Sequence, residues 1–290
     1  MNKTEKKNPI TVSKRNVHIL ITLCRGPITF YELKEICFKK DDEMNYKLFK
    51  KEKDRSIYQK RDDDPYTSRQ FCNRKLAKLE NRELIGTADY FEISSYGMPK
   101  KEKIYYLTEK GCHHVCRSFN IHKHDVRYGP PLNIHMDHEI NLSRILRKIY
   151  YDAECKHYQV QSAHADRALR SIFQARSGGM SPKGMYFVDL RIKVIYKSGR
   201  QLEIPVELAN IKDDPDFWKN KISHIQEPFF ILTKNEGFVK VICRWIQEIK
   251  LDHVMFVAPL GDFLRLGFMN TIWHKVSPGE VQMFMLDLDA

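Results

Sequence analysis

The chain has 290 residues, 42% of them hydrophobic and 30% charged; that is enough apolar material for packed cores in about two domains, and it excludes a disordered or low-complexity protein. No apolar run approaches the roughly 18 residues of a membrane helix: the longest, Val254 to Leu260, contains Pro259, and the opening MNKTEKKNP is too polar for a signal peptide. Residues 1–130 hold 28 basic and 18 acidic side chains, a net of +10, against 21 and 19 in residues 131–290, a net of +2, so a polyanion partner is expected for the N-terminal part, with a mere solubility charge as the alternative.

In chain order, the first expected element is a helix over Lys14 to Arg25. Val17, Leu20, Ile21 and Cys24 recur at spacings of three and four, and Gly26-Pro27 stops it. Thr29 with Glu32 three residues later has the form of a capping box, opening a second helix with Leu33, Ile36 and Cys37 on its buried side. Lys39 to Asp64 is charge-dense and reads as an inserted loop with a short helix near Tyr46 to Phe49.

A stronger helix begins at Thr67 or Ser68, in SRQFCNRKLAKLENREL. Phe71, Cys72, Leu76 and Leu79 make its inner face. The opposite face carries Gln70, Arg74, Ala77 and Asn81, flanked by Asn73 and Lys78, with no carboxylate, and Ser68 and Arg69 at the helix start count with them as expected DNA contacts. Arg can bind guanine bidentately and Asn or Gln can bind adenine, and a small Ala allows close approach to a groove. An ordinary solvated face would also accept these residues. After Leu84-Ile85-Gly86 come a strand, a Gly97-Met98-Pro99 turn with Lys100, Lys101 and Lys103, and a strand from Lys103 to Leu107. The order helix, helix, helix, basic hairpin resembles the winged helix-turn-helix family, with LAKLENRELI at 76–85 and LTEKG at 107–111 as its recognition-helix and wing-end patterns. The likeness covers about residues 14–120. It implies that the helix from Ser68 docks in a major groove of double-stranded DNA while Lys100, Lys101 and Lys103 touch phosphate.

Cys112, His113, His114, Cys116, His122 and His124 lie within thirteen residues. Such ligands can hold zinc, but C-x3-C-x5-H-x-H is not a frequent zinc spacing, and Val115 and Phe119 read as the core side of a helix. The segment up to Pro130-Pro131 reads as a linker, with domains expected over 1–125 and 126–290. Seven scattered cysteines suit reduced thiols in a cytoplasm better than a disulfide framework.

In the second domain, Asp137 to Lys156 is an amphipathic helix with Ile140, Ile145, Leu146, Ile149 and Tyr150 inward. A loose stretch through Ser177-Gly178-Gly179 and Ser181-Pro182 follows. Tyr186 to Tyr196 and Gln201 to Leu208 read as a hairpin turning at Lys197 to Arg200. A helix near Phe217 to Gln226, another near Lys240 to Lys250 and a buried strand at Asp252 to Ala258 complete an α/β or α+β domain with a mixed sheet.

A turn at Ser198-Gly199 sets Asp189 roughly opposite Glu207 on adjacent strands. Two acids so placed can hold Mg²⁺, and Glu139 could add a third oxygen. The alternative pairs them with Arg191 or Lys193 across the hairpin. Glu139, Val188-Asp189 and Glu207-Leu208-Ala209 resemble the restriction-endonuclease-like PD-(D/E)XK superfamily, in which a helix Glu, a strand Asp and a following strand Glu gather magnesium. The proline before the Asp is Val188 here, and the lysine two after the Glu is Ala209. Lys212, Lys219 or Lys221 would have to supply that charge, with Lys221 the favoured catalytic candidate beside Glu139, Asp189 and Glu207.

Winged helix-turn-helix followed by a nuclease-like α/β domain resembles the replication-relaxation family of plasmid and mobile-element proteins. The residues carrying this likeness are LTEKG at 107–111, His135-Met136-Asp137-His138-Glu139, Asp189, Glu207, Lys219 and Lys221. It implies a DNA-binding protein acting in replication, relaxation or mobilisation, with a second copy of the chain or replication and mobilisation proteins as further partners. The competing readings are a Mg²⁺-dependent DNA endonuclease with an incomplete signature, and a transcription regulator sensing a small ligand through residues 131–290. The absence of a Gly-rich phosphate loop argues against ATP-driven action.

Overall fold

The computed structural model describes residues 14–38, 66–93, 99–131, 136–155, 158–180, 185–196, 198–209, 214–225, 227–249, 251 and 253–285. The loop expected at 39–64, Gly97-Met98, His135, Ser181-Pro182 and Lys212 lie outside them. The chain divides into two compact units, Met1–Pro130 and Pro131–Ala290. The first runs past 125 because Val126 is buried in its core and the Arg127 N–H donates to the Cys24 carbonyl.

The first unit contains helix α1 (Lys14–Leu23), strand β1 (Ile28–Thr29), helix α2 (30–38), helix α3 (Tyr66–Glu80), strands β2 (Ile85–Ile93) and β3 (Pro99–Leu107), and helix α4 (Glu109–Phe119). The strands form an antiparallel sheet in the order β1-β3-β2. Ile19, Leu20, Leu23, Leu33, Leu76 and Leu79 meet in one core. The inward face of α1 is therefore rotated from the expected stripe: Val17 and Ile21 are only half-buried, while Ile19 and Leu23 are covered. Ile36, expected inside, is exposed.

The capping box at the start of α2 forms. The Thr29 N–H donates to Glu32 Oε2 at 3.4 Å, and the Glu32 N–H donates to Thr29 Oγ1 at 3.3 Å. The LTEKG segment works in the same way. Thr108 Oγ1 accepts from the Gly111 N–H at 3.0 Å and caps α4. A Cβ on Gly111 would sit 1.9 Å from the Leu84 carbonyl oxygen, so glycine alone lets α4 pack against the turn between α3 and β2.

The second unit is a mixed α+β layer built on a seven-stranded mixed sheet. Its elements are α5 (Met136–Cys155), β4 (Tyr158–Ala165), α6 (Asp166–Arg176), β5 (Leu190–Tyr196), β6 (Gln201–Ala209), α7 (Pro215–His224), β7 (Phe229–Thr233), α8 (Glu236–Ile249), β8 (Met255–Pro259), α9 (Leu260–Leu266), β9 (Ile272–Ser277) and β10 (Glu280–Met285). The strand order is β10-β9-β8-β7-β6-β5-β4; β6, β7 and β8 run parallel and the remaining pairs are antiparallel. One face of the sheet packs with Ile145, Ile149, Phe263 and Trp273, the other with Trp218, Ile222, Ile242 and Ile246.

The stretch after α5 is not loose, as its composition had suggested. It holds β4, which pairs with β5 through a bulge between Val160 and Ser162, and then α6. β4 buries few side chains and α6 buries none fully, so neither leaves a clear apolar period. β5 begins at Leu190, four residues later than expected, which leaves Asp189 immediately before the strand. No helix among the described residues is long and apolar enough to cross a membrane.

Candidate functional site

Two regions gather the residues singled out by the sequence. In the first unit, Cys72, Leu76 and Leu79 of α3 are buried, and Asn73, Arg74, Ala77, Lys78 and Asn81 are exposed. The helix thus presents amide and cationic groups on the side away from the core, as the spacing predicts. For Ser68, Arg69, Gln70 and Lys100 only the backbone is described, in α3 and β3.

The β2–β3 hairpin exposes Lys101 and Lys103. It is less purely basic than the sequence suggests. Lys103 lies opposite Asp89 in register, and Lys101 Nζ sits 2.9 Å from Asp89 Oδ2 and 5.9 Å from the Phe91 ring centre. That ion pair is solvent-exposed, so it holds Lys101 only weakly.

Cys24, Cys37, Cys72, Cys112, Cys116 and Cys243 are free thiols. Cys112 and Cys116 sit one helical turn apart with sulfurs 4.0 Å apart. Burial, followed by the neighbouring Cys116, pushes the Cys112 thiol up to about 12, so it is held as the neutral thiol. No set of three or more His, Cys, Asp or Glu among the described residues is arranged to hold a metal ion.

In the second unit the hairpin register decides the geometry. Leu190 pairs with Val206 and Arg191 with Pro205, so one step further on Asp189 faces Glu207. The Asp189 N–H donates to Glu207 Oε2 at 3.1 Å, and the Leu208 N–H donates to Asp189 Oδ2 at 2.8 Å. The hairpin is therefore continued past its last ladder pair by the two carboxylates themselves. Glu207 lies within β6, whose residues 204–209 are all buried because helices or neighbouring strands cover both faces.

Helix α7 brings the cation. Asp214 caps it, accepting from the Asp216 N–H at 3.1 Å, and Pro215 occupies its first turn. Trp218 and Ile222 pack into the core beneath the sheet. Lys221 follows the same side, is only 12% exposed, and its ammonium donates to Glu207 Oε1. Lys219 points elsewhere and pairs with Glu248 at 2.6 Å. Arg191, an alternative partner for the two acids, is instead engaged by Glu227 and Glu203.

The fourth member is His138, whose Nε2 lies 3.2 Å from Asp189 Oδ1. The expected helix residue was Glu139. Successive side chains point about 100° apart on a helix, and the turn of α5 that meets Asp189 is that of His138. Asp166, at the start of α6, donates its N–H to the Asp189 carbonyl at 3.1 Å and adds a negative field at Lys221. Neither residue has a spacing signature; only the His138 neighbourhood was visible, as part of the quoted helix start.

The electrostatics separate the two acids. Burial drives Asp189 up, but the bond and charge of His138, the charge of Lys221 and the Leu208 N–H outweigh it and hold it below the ordinary carboxyl value. Burial and then the Asp189 charge push Glu207 well above its ordinary value, with Lys221 opposing them. Lys221 loses hydration, yet Glu207 and Asp189 hold it above the ordinary lysine value. The site is thus a buried anion at Asp189, a retained ammonium at Lys221, and a Glu207 whose ionisation depends on that ammonium.

A preformed magnesium centre does not fit this donor set. Asp189 Oδ1 and Oδ2 meet His138 and the Leu208 N–H, and Glu207 Oε1 and Oε2 meet Lys221 and the Asp189 N–H. Glu139 does not join them as a third ligand. The expected metal pair is closed by protein donors, with a cation in contact where a divalent ion would be repelled. No protein-family model matches the chain, and no curated protein matches its sequence.

Proposed function

We propose that the chain is a cytoplasmic DNA-binding protein acting in replication, relaxation or mobilisation of a plasmid or other mobile element, of the replication-relaxation kind. In this reading the first unit is a winged helix-turn-helix module and the second a nuclease-like domain serving as scaffold. The observation that carries it is the outer face of α3 and the turn that ends it: Asn73, Arg74, Ala77, Lys78 and then Asn81 are exposed with no carboxylate among them, in the unit that holds the charge excess and a lysine-bearing hairpin. Amide and guanidinium groups on one helix face suit base edges, and lysines on a hairpin suit phosphate.

The test is DNA binding by the full chain at several salt concentrations. Arg74→Ala should relax base preference by about 1–3 kcal/mol at the position it reads. Lys101→Ala with Lys103→Ala should weaken binding to all sequences and lessen the log–log salt slope by about 0.9 for each phosphate that is no longer neutralised. Salt-independent binding, or variants indistinguishable from the parent, would overturn the reading.

A second reading, a metal-dependent endonuclease, takes Lys221 as the replacement for the lysine missing at Ala209, and it requires the bonds that occupy Asp189 and Glu207 to open for the ion. Nicking of supercoiled plasmid that needs Mg²⁺ or Mn²⁺ and disappears in Asp189→Ala, Glu207→Ala and Lys221→Ala would favour it over the scaffold. Absence of nicking across those conditions would leave the scaffold.

A further inference from the structure

β10 is the edge strand of the seven-stranded sheet, and all six of its residues, Glu280 to Met285, are exposed. Its side chains alternate. Phe284 turns back onto Phe256, with ring centres 6.1 Å apart, and Lys275 lies 6.0 Å from its ring centre. Val281, Met283 and Met285 point to the other side, 41%, 76% and 59% exposed, and Ile272 opposite Met285 extends that strip. On β10 itself the strip carries no charge; on β9 the same face holds His274, opposite Met283, with its Nε2 3.7 Å from Glu236 Oε1. An edge strand with no lysine, proline or bulge along it and an apolar residue at every second position is a template for strand pairing, which proteins otherwise block.

The backbone agrees with the side chains. Pro278-Gly279 joins β9 to β10, with Gly279 at φ +79°, so Ser277 and Glu280 close the turn as a hydrogen-bonded pair. By alternation, Gln282 and Phe284 spend their N–H and C=O groups on β9, and Val281, Met283 and Met285 turn theirs outward. Among the described residues, those with the exposed apolar side chains are the ones whose backbone groups meet no neighbouring strand.

We infer that β10 pairs antiparallel with β10 of a second copy of this chain, about a two-fold axis passing between the two Met283 residues. In that register Val281 faces Met285 of the partner subunit, Met283 faces itself, and each facing pair exchanges two N–H···O bonds. Only this centre brings the whole apolar triad onto itself, which is what an isologous contact requires. The single charged residue of the strand, Glu280, falls at the periphery of the seam.

The experiment is the mass of the full chain in solution, by light scattering or sedimentation, over a range of concentrations. The expected result is a concentration-dependent shift from 34.4 kDa to twice that mass. Met283→Arg sets two cations against each other at the axis, and Met283→Pro removes an outward N–H without touching the β9 ladder; both should yield monomer with unchanged far-UV circular dichroism. A parent chain that stays monomeric at high concentration overturns the proposal. So does a dimer that survives both folded variants.

Discussion

Replacing Lys221 with Met tests the electrostatic account of the buried cluster. Met keeps most of the apolar stem and removes the ammonium, which also lies 6.0 Å from the Trp218 ring centre. Glu207, 2% exposed, and Asp189, 9% exposed, would then face each other without the ammonium beside Glu207. Removing one partner of a buried ion pair costs about 3–5 kcal/mol, because the remaining charge stays desolvated. The loss depends on pH in a definite direction. Glu207 already binds its proton more tightly folded than unfolded, and losing Lys221 strengthens that. A folded-state pKa above the unfolded one contributes stability at low pH that disappears as pH rises through the folded value. Lys221→Met should therefore lose stability from pH 5 towards pH 8, by up to about 1.4 kcal/mol per pH unit while Glu207 is protonated folded and ionised unfolded. Trp218, Trp245 and Trp273 all lie in residues 131–290, so tryptophan fluorescence in urea reports this unit alone. Glu207→Gln in the Lys221→Met background removes the stranded acid and should restore most of the loss. A cost below about 1 kcal/mol at pH 8, stability that rises with pH, or a double variant no better than the single one would refute the reasoning.

His138→Ala removes the main group that holds Asp189 low, a bond to a charged partner of about 1.5–3 kcal/mol. The stability from a depressed carboxyl exists above its unfolded value and is lost as pH falls through the folded one, so this variant should unfold at higher pH in an acid titration; an unmoved midpoint would separate His138 from Asp189. Gly267 sits at φ +84° and ψ 170°, and a Cβ there would lie 2.0 Å from Oδ2 of the buried Asp152. Gly267→Ala should cost more than about 2 kcal/mol through backbone strain and clash, read as a lowered melting temperature. An unchanged melting temperature would mean that Asp152 moves aside freely.

Much of the first unit was legible because its signals are local. The Thr29–Glu32 box closes within four residues, and α3 shows its buried face in the spacing of Cys72, Leu76 and Leu79. Asp189 and Glu207 could also be placed opposite each other in advance. A tight turn near Gly199 determines hairpin register, and the observed pairs follow it. By contrast, β4, α6 and β7 were not distinguished, nor was anything after β8. β7 is buried along its whole length and has no alternation to show, and β4 shows its role only by pairing with β5.

The sequence by itself determined the hairpin, its two facing acids, the carboxylate-free helix face and the location of the charge excess, since each depends on residues close along the chain. Only the tertiary structure decided which cation and which helix residue complete the cluster. Three lysines were candidates, and Lys221 reaches Glu207 because Trp218 and Ile222 seat α7 against the sheet. Helix α5 presents His138 instead of Glu139 to Asp189. Both outcomes turn on the rotation and approach of a helix relative to a distant strand, which packing sets and no local spacing encodes.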